Sequence, residues 1–462
     1  MDARKLVTFS APLAGLRGTL VARFQARRSR DRQSGVAFLI TIASLSLLIA
    51  LVAQFTYGTT VDAAQAANAR DEVRAHYLAR SAVSLSRLLI KIQTTFVEPI
   101  MKTAQDMLTA QAGQDLGISL RVTDYIGPVL GFFSGSKMET ALLSGLIGID
   151  TSEATGLGIP TGHMDAEITN EDGKIDINCG GGMTPNRSQQ MKVFRLLQAL
   201  MASPRYNWLF EQRNAEGQFI DRVDLARALI DWADADEQAF AWDANSSGPE
   251  DYRYDQRDDP YQAHNNRYDT VEETNLVRGM DSDYAEAFAS NFTVYAGNDK
   301  NQNCRVNLAS VKGDCTPLIV GLVRAALFPD PSKPPTNLSI LDDNFLYPLA
   351  SILCERSKAV GFGSLDALIK VLNNPAASIA RDDPRYQFMQ NLTGIAITQK
   401  QLEEVAYVDT PRVYRVVATG ESGKVKKRII VILDSKRVLA NPVTINPEGE
   451  RAAGVIQYWR EE

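Results

Sequence analysis

Histidine is scarce in this 462-residue chain, with only His76, His163 and His264. Cysteine is nearly as rare: Cys179, Cys304, Cys315 and Cys354 are the full set, and no C-x-x-C spacing occurs among them, which disfavours structural zinc. There is no G-x-S-x-G, no H-E-x-x-H and no P-loop. The "ESGKVKKR" stretch has a Gly-Lys pair without the rest of the Walker spacing and reads as a hairpin turn. An enzyme is therefore not expected. Positive charge is not in excess either, since 49 Lys and Arg against 55 Asp and Glu leave a net charge of −6. Phosphate binding needs clustered basic groups, so no nucleic-acid partner is expected. Internal repeats are absent. What remains is ordinary globular composition, 45% hydrophobic and 23% charged, with length for about two or three domains.

The one basic concentration is at the start, where Arg4, Lys5, Arg17, Arg23, Arg27, Arg28, Arg30 and Arg32 face only Asp2 and Asp31. Directly after it, from Val36 to Ala53, the chain reads VAFLITIASLSLLIALVA without a charge. As a helix rising about 1.5 Å per residue, that run crosses most of a bilayer core. The basic flank puts residues 1–35 in the cytoplasm and everything beyond Ala53 on the other side. A buried core helix would seldom follow eight basic residues. A cleaved signal peptide, with Ala50 and Val52-Ala53 imitating a small-x-small site, is the other alternative, although the run is long for that class. Beyond the run, Val61, Ala64, Tyr77, Leu78, Ser81, Leu85, Leu88, Leu89 and Ile92 recur at spacings near three and four, so the helix is expected to continue as an amphipathic one.

A basic leader, then Gly35, then an unbroken apolar helix from Val36 resembles the type IV prepilin class, in which a membrane prepilin peptidase cuts after the glycine. A missing Cβ lets a protease approach that backbone closely. Most members carry glutamate at the fifth mature position, whereas this chain has Ile40. That departure narrows the resemblance to the K-type minor pseudopilins of the bacterial type II secretion system, the GspK family. Further stretches resemble that family in order: "MDAEITNEDGKIDIN" at 164–178, "LARALIDWADADE" at 225–237, "GPEDYRY" at 248–254, "YQAHNNRYDTVEETNLVRGM" at 261–280 and "NFTVYAGNDKNQNCRVNLAS" at 291–310.

The resemblance implies an α+β fold: a long N-terminal helix packed on a small antiparallel pilin-like sheet, with a large inserted all-helical domain. It divides the chain into a cytoplasmic leader 1–35, a transmembrane and amphipathic helix 36–95, a variable region 96–163, the first part of the sheet 164–184, a helical insertion 185–393 and closing strands 394–462. It implies a tip subunit of the pseudopilus, anchored in the inner membrane through 36–53 with a periplasmic ectodomain. The implied partners are the I-type and J-type minor pseudopilins, the major pseudopilin, the prepilin peptidase and secreted cargo. The alternative is a membrane-anchored calcium-binding adhesin or a minor pilin of a type IV pilus.

The acidic loop carries the chemistry. Asp231, Asp234, Asp236, Asp243, Glu250 and Asp251 crowd together, with Asn245 and Ser246 adding neutral oxygens. Carboxylates that close repel one another unless solvated or neutralised by a hard cation, and oxygen-only ligation suits calcium. A solvated acidic loop is the plain alternative, and the resemblance favours calcium. Asp234, Asp236, Glu250 and Asp251 are the expected ligands, with Asp231 a cap or supporting group. "DANSSG" at 243–248 imitates the start of an EF-hand loop, but the twelfth position is Tyr254, so that assignment fails.

In an oxidising compartment disulfides persist. Cys304 and Cys315 close a short loop and are the expected pair, while full pairing of all four cysteines, or free thiols at Cys179 and Cys354, stay open. "CGGGMTP" at 179–185 reads as a linker. Segments 186–202, 205–213, 221–232, 270–290, 316–328, 340–358 and 364–373 read as helices. Hairpins are expected at 164–178, turning at Asp172-Gly173, and at 412–433, turning at Glu421-Ser422-Gly423.

Overall fold

A computed structural model describes residues 16–112, 121–127, 129–130, 162–213, 217–243, 248–250, 254, 260–295, 303–311, 313–328, 342–360, 362–378, 381, 384, 386–392, 394–436 and 454–462. Two compact units divide the chain at residues 71 and 72. In the first, every described residue is helical and belongs to α1 (Leu16–Ile92). Among the described residues one helix is long and apolar enough to cross a membrane, and its apolar window is not buried. Its few hydroxyls are satisfied internally: Thr41 Oγ1 donates to Phe38 O at 2.8 Å, Ser44 Oγ to Ile40 O at 2.6 Å and Thr56 Oγ1 to Val52 O at 2.7 Å. That matters in hydrocarbon, where no water can take up a polar group.

The second unit takes up α1 at Glu72 and follows it with a π-helical turn (Gln93–Val97) and α2 (Glu98–Ala112). Strand β1 (His163–Asn170) buries alternate residues, as a strand with one covered face must. After the short β2 (Ile175–Asp176) come α3 (Arg187–Met201), α4 (Asn207–Glu211), α5 (Arg222–Asp231) and α6 (Ser282–Phe288). Then follow β3 (Phe292–Thr293), β4 (Val306–Asn307), α7 (Thr316–Leu327), α8 (Asp343–Val360), α9 (Leu365–Asn373), α10 (Tyr386–Asn391), α11 (Gln399–Glu403) and β5 (Ala406–Tyr407). The chain closes with β6 (Val413–Ser422), β7 (Val425–Asp434) and β8 (Val455–Glu461).

An antiparallel sheet in the order β1-β6-β7-β8 backs onto the part of α1 that lies in this unit. Leu78, Ala79, Ala82, Val83, Leu89 and Ile90 pack against Met164, Ala166, Ile168, Val416, Ala418, Ile429 and Val431. The helix comes close because both surfaces are small at the crossing. A Cβ on Gly420 would sit 2.1 Å from Ala75 O and 2.5 Å from Ala79 N, so only glycine fits there. The ion pair Glu72–Lys427 at 2.8 Å rims the contact, as does His76 Nδ1, 3.6 Å from Glu461 Oε2.

The expected hairpin at 412–433 forms, as β6 and β7. The expected hairpin at 164–178 does not: β1 pairs antiparallel with β6, and β2 pairs in parallel with β3. The Asp172-Gly173 turn itself forms, with Lys174 N donating to Glu171 O at 3.1 Å, but tertiary contacts send the strands on either side of it to other partners. Asp172 is 2% exposed, its backbone O accepts from Asn307 N at 2.9 Å, and its Oδ2 accepts from Arg412 N at 2.5 Å and Val413 N at 3.1 Å. One carboxylate thus clasps the strand leading into the insertion to the strand leading out of it.

The insertion over 185–393 is mainly helical, and its two short strands β3 and β4 pair in parallel with β2 and β5, which flank it. The single helix expected over 270–290 is broken into a 3-10 segment (Val271–Leu276) and α6. Between them Gly279 adopts φ 85, and Asp281 caps α6 by accepting from Asp283 N and Tyr284 N. A single large core, with Phe194, Leu197, Leu225, Phe288, Val320 and Leu346 all buried, holds these helices together.

The cysteine pairing also differs from the expectation. Cys179 bonds Cys304, and Cys315 bonds Cys354, with Cα atoms 5.6 Å apart in each pair. Parallel pairing of β2 with β3 brings the chain beyond β2 alongside the insertion's core, and Asn178 donates to Tyr268 O and Val294 O there. Cys304 therefore meets Cys179. Cys315, which caps α7, meets α8 instead.

Candidate metal centre

The acidic loop starts where α5 stops. Asp221 caps that helix by accepting from Asp224 N at 2.7 Å. At the other end Asp231 is 7% exposed, and its Oδ1 accepts from Phe240 N at 2.6 Å, which folds residues 231–240 into a closed loop. Trp232 is anchored by its Nε1 donating to Glu273 Oε1 at 2.8 Å. The next residues pair with a neighbouring segment: Gly182 N donates to Ala233 O at 2.7 Å, and Gly182 bridges Asp234 in parallel. On the far side, Gln238 bridges Pro249, and Ala239 N donates to Gly248 O at 3.0 Å, so Glu250 is carried back onto the loop.

These contacts bring three carboxylates together. One oxygen each from Asp234, Asp236 and Glu250 lies within 4.8 Å of the others. Asp236 is exposed, while Asp234 and Glu250 are buried at 2% and 5% exposure. Asp236 Oδ1 accepts from Gln238 N at 2.9 Å, and Asp234 Oδ2 accepts from Gln190 Nε2 at 2.5 Å. The other oxygen of Asp234 has no hydrogen-bond partner. Asp231 lies beside the cluster as its support. Asp251, Asn245 and Ser246 lie outside the described residues.

Burial pushes the Asp234 carboxyl up to about 7, and the charges of Asp231 and Asp236 add to that rise. Asp231 is likewise raised to about 7, by burial first, against the pull of its bond from Phe240 N and of Arg227. Buried carboxylates crowded in this way are costly unless a cation or a proton neutralises them. The donor set is all oxygen, and an orphaned buried oxygen points to a missing partner, so the residues fit a hard cation such as calcium.

Sequence reading took "CGGGMTP" for a linker, and the structure gives it another part. Gly180 and Gly182 both adopt φ 87, and a Cβ on Gly181 would lie 2.5 Å from Ala233 O. The glycines are there so that the backbone can lie against the acidic loop. Gln190 was not legible as part of the site, since a glutamine one turn into a helix carries no metal-ligand signal. The glycine run directly after Cys179 was the one available hint.

Residues 182–297 match the family model described as "Type II secretion system (T2SS), protein K". That segment is similar to the protein K family of type II secretion systems. It begins at Gly182 and so contains Gln190, Asp234, Asp236 and Glu250, all the groups brought together here. No curated protein matches the chain. A solved structure, "The Crystal Structure of the GspK-GspI-GspJ complex from enterotoxigenic Escherichia coli Type 2 Secretion System", aligns with 79% of this chain and 99% of its own, at 14% identity and a TM-score of 0.37. The matched segment lies wholly within the chain between β1 and β6, so the sheet is built from strands on both sides of it.

Proposed function

We propose that this chain is a minor pseudopilin at the tip of the type II secretion pseudopilus, starting or capping assembly with I-type and J-type minor pseudopilins and supporting protein export. The observation that carries the reading is a segment similar to the protein K family, set between the strands of a helix-backed antiparallel sheet. The apolar stretch of α1 serves as a single-pass inner-membrane anchor, with the basic leader cytoplasmic and the sheet and insertion periplasmic. Two disulfides suit that oxidising side. The prepilin peptidase cuts between Gly35 and Val36. Beyond its own helix backbone and chain neighbours, nothing among the described residues lies within 4 Å of a Cβ built on Gly35, so no such contact accounts for glycine there.

Ile40 leaves the mature N-terminal segment without an acidic partner for the amine of the subunit beneath, and the bulky insertion obstructs addition above. Both features favour a single terminal copy. Calcium bound by Asp234, Asp236 and Glu250, joined by Asp251, neutralises the acidic loop and ties the segment after α5 to residues 248–251. The role is structural and needs no catalysis.

The full chain, co-expressed with the I-type and J-type subunits and extracted in detergent, should purify as a stable ternary complex. Gold-labelled copies should appear only at fibre ends. Labels spread along the shaft, or no association with either partner, would overturn the tip assignment and favour an anchored adhesin or type IV minor pilin.

A further inference from the structure

We infer that Gln190, seated by the Gly180–Gly182 run, is the residue that positions the Asp234 carboxylate for its cation. This rests on the calcium reading of the acidic loop. Gln190 lies in the first turn of α3, is 5% exposed and donates from Nε2 to Asp234 Oδ2 at 2.5 Å. Asp234 is itself 2% exposed, and its Oδ1 is the oxygen left without a partner. One oxygen is therefore held by the helix and the other has no partner, and the carboxylate brings an oxygen within 4.8 Å of oxygens of Asp236 and Glu250.

The glycine run sets this geometry from both sides. A Cβ on Gly180 would lie 2.7 Å from Gln190 N, and one on Gly181 would lie 2.5 Å from Ala233 O, so the run is wedged between α3 and the acidic loop. Asn186 N donates to Gly180 O at 2.8 Å, and the Asn186 side chain caps α3 by accepting from Ser188 N and Gln189 N. Behind the run, the Cys179–Cys304 disulfide fixes its origin. Helix start, glycine run and loop thus form one rigid template, and Gln190 is its point of contact with the ligand oxygens. A metal ligand held by an outer partner is already oriented before the ion arrives. Without that partner the carboxylate must be ordered during binding, which typically weakens affinity about 10- to 100-fold.

The test uses the full chain in detergent with calcium as the probe. Calcium affinity is measured by titration calorimetry, and melting is followed both in chelator and in excess calcium. Wild type is expected to bind calcium and melt higher with it. Gln190→Leu should bind about tenfold more weakly or worse, with a smaller calcium-induced rise in melting temperature than wild type. Gln190→Met, closer in shape, replaces it if the leucine variant does not fold. A merely structural role would lower melting in chelator and in calcium alike and leave affinity unchanged, and that result overturns the inference. Equal affinity of variant and wild type does the same while leaving the calcium reading intact. If wild type binds no calcium, the calcium reading itself fails, and this inference with it.

Discussion

Replacing Arg415 by methionine probes what fastens the insertion to the sheet. Glu171, at the end of β1, has a fully buried side chain. Its Oε1 accepts from Arg415 Nε at 2.6 Å and from Lys174 Nζ at 3.1 Å, and its Oε2 accepts from Thr293 Oγ1 at 2.5 Å. Arg415 belongs to the sheet and Thr293 to β3 of the insertion, so one carboxylate bonds to both. Burial alone would raise its pKa, yet the Lys174 and Arg415 charges, with the bonds from Arg415 and Thr293, hold it below the usual carboxylate range. Removing one partner of a buried pair costs about 3–5 kcal/mol when the other charge is left uncompensated. Lys174 and Thr293 remain here, so the expected loss is about 2–3 kcal/mol. With roughly 2.1 cal/mol/K of unfolding entropy per residue over Glu72–Glu462, the melting temperature should fall about 2–4 °C. The loss should shrink in acid. A depressed pKa stabilises above the unfolded value, and that stability is lost as pH falls through the folded one. Calorimetric melting of the detergent-solubilised chain, with Glu171→Gln and the double variant completing a cycle, reads the coupling. A loss under about 0.5 kcal/mol, or a double variant equal to the sum of the singles, would refute the clasp.

Much of the fold was legible because its signals are local. The charge-free run after Gly35, the helices over 221–232 and 364–373, and the β6–β7 hairpin at Gly423 all state their structure within a few residues. Legibility ended where distant segments decide. The Asp172-Gly173 turn forms as its signal says, but no hairpin follows, because Asp172 bonds Asn307, Arg412 and Val413, more than a hundred residues away. Cysteine pairing failed for the same reason: sequence proximity favoured Cys304 with Cys315, while strand pairing brought Cys179 across 125 residues. In the acidic loop the carboxylates announced themselves by crowding. The groups that arrange them, Gly180 to Gly182 and Gln190, did not, since glycine and glutamine acquire their roles only from what packs against them.

Peptide mapping under non-reducing conditions should recover Cys179–Cys304 and Cys315–Cys354 linkages, and a Cys304–Cys315 peptide would contradict the packing of α7 on α8. Mass spectrometry of the mature chain should find Val36 at its N-terminus, and a bulky replacement of Gly35 should leave the precursor uncut; cleavage near Ala53 would remove the pilin-like reading. The last expectation concerns Asp172. Burial raises its carboxyl to about 6 despite the bonds from Arg412 N and Val413 N, and its Oδ1 has no partner. An acid whose folded pKa exceeds its unfolded value binds its proton more tightly when folded. Its contribution to stability is therefore complete below about 3.8 and is lost as pH rises through about 6. Asp172→Asn cannot ionise, so wild type should lose stability relative to this variant between pH 4.5 and pH 7, by up to roughly 1.4 kcal/mol per pH unit. Melting both proteins in chelator across that range, so that no metal competes for carboxylates, makes the comparison. A gap between them that stays constant with pH would show that Asp172 is ionised in the folded chain throughout, and that the clasp joining the two strands at the insertion is a charged one.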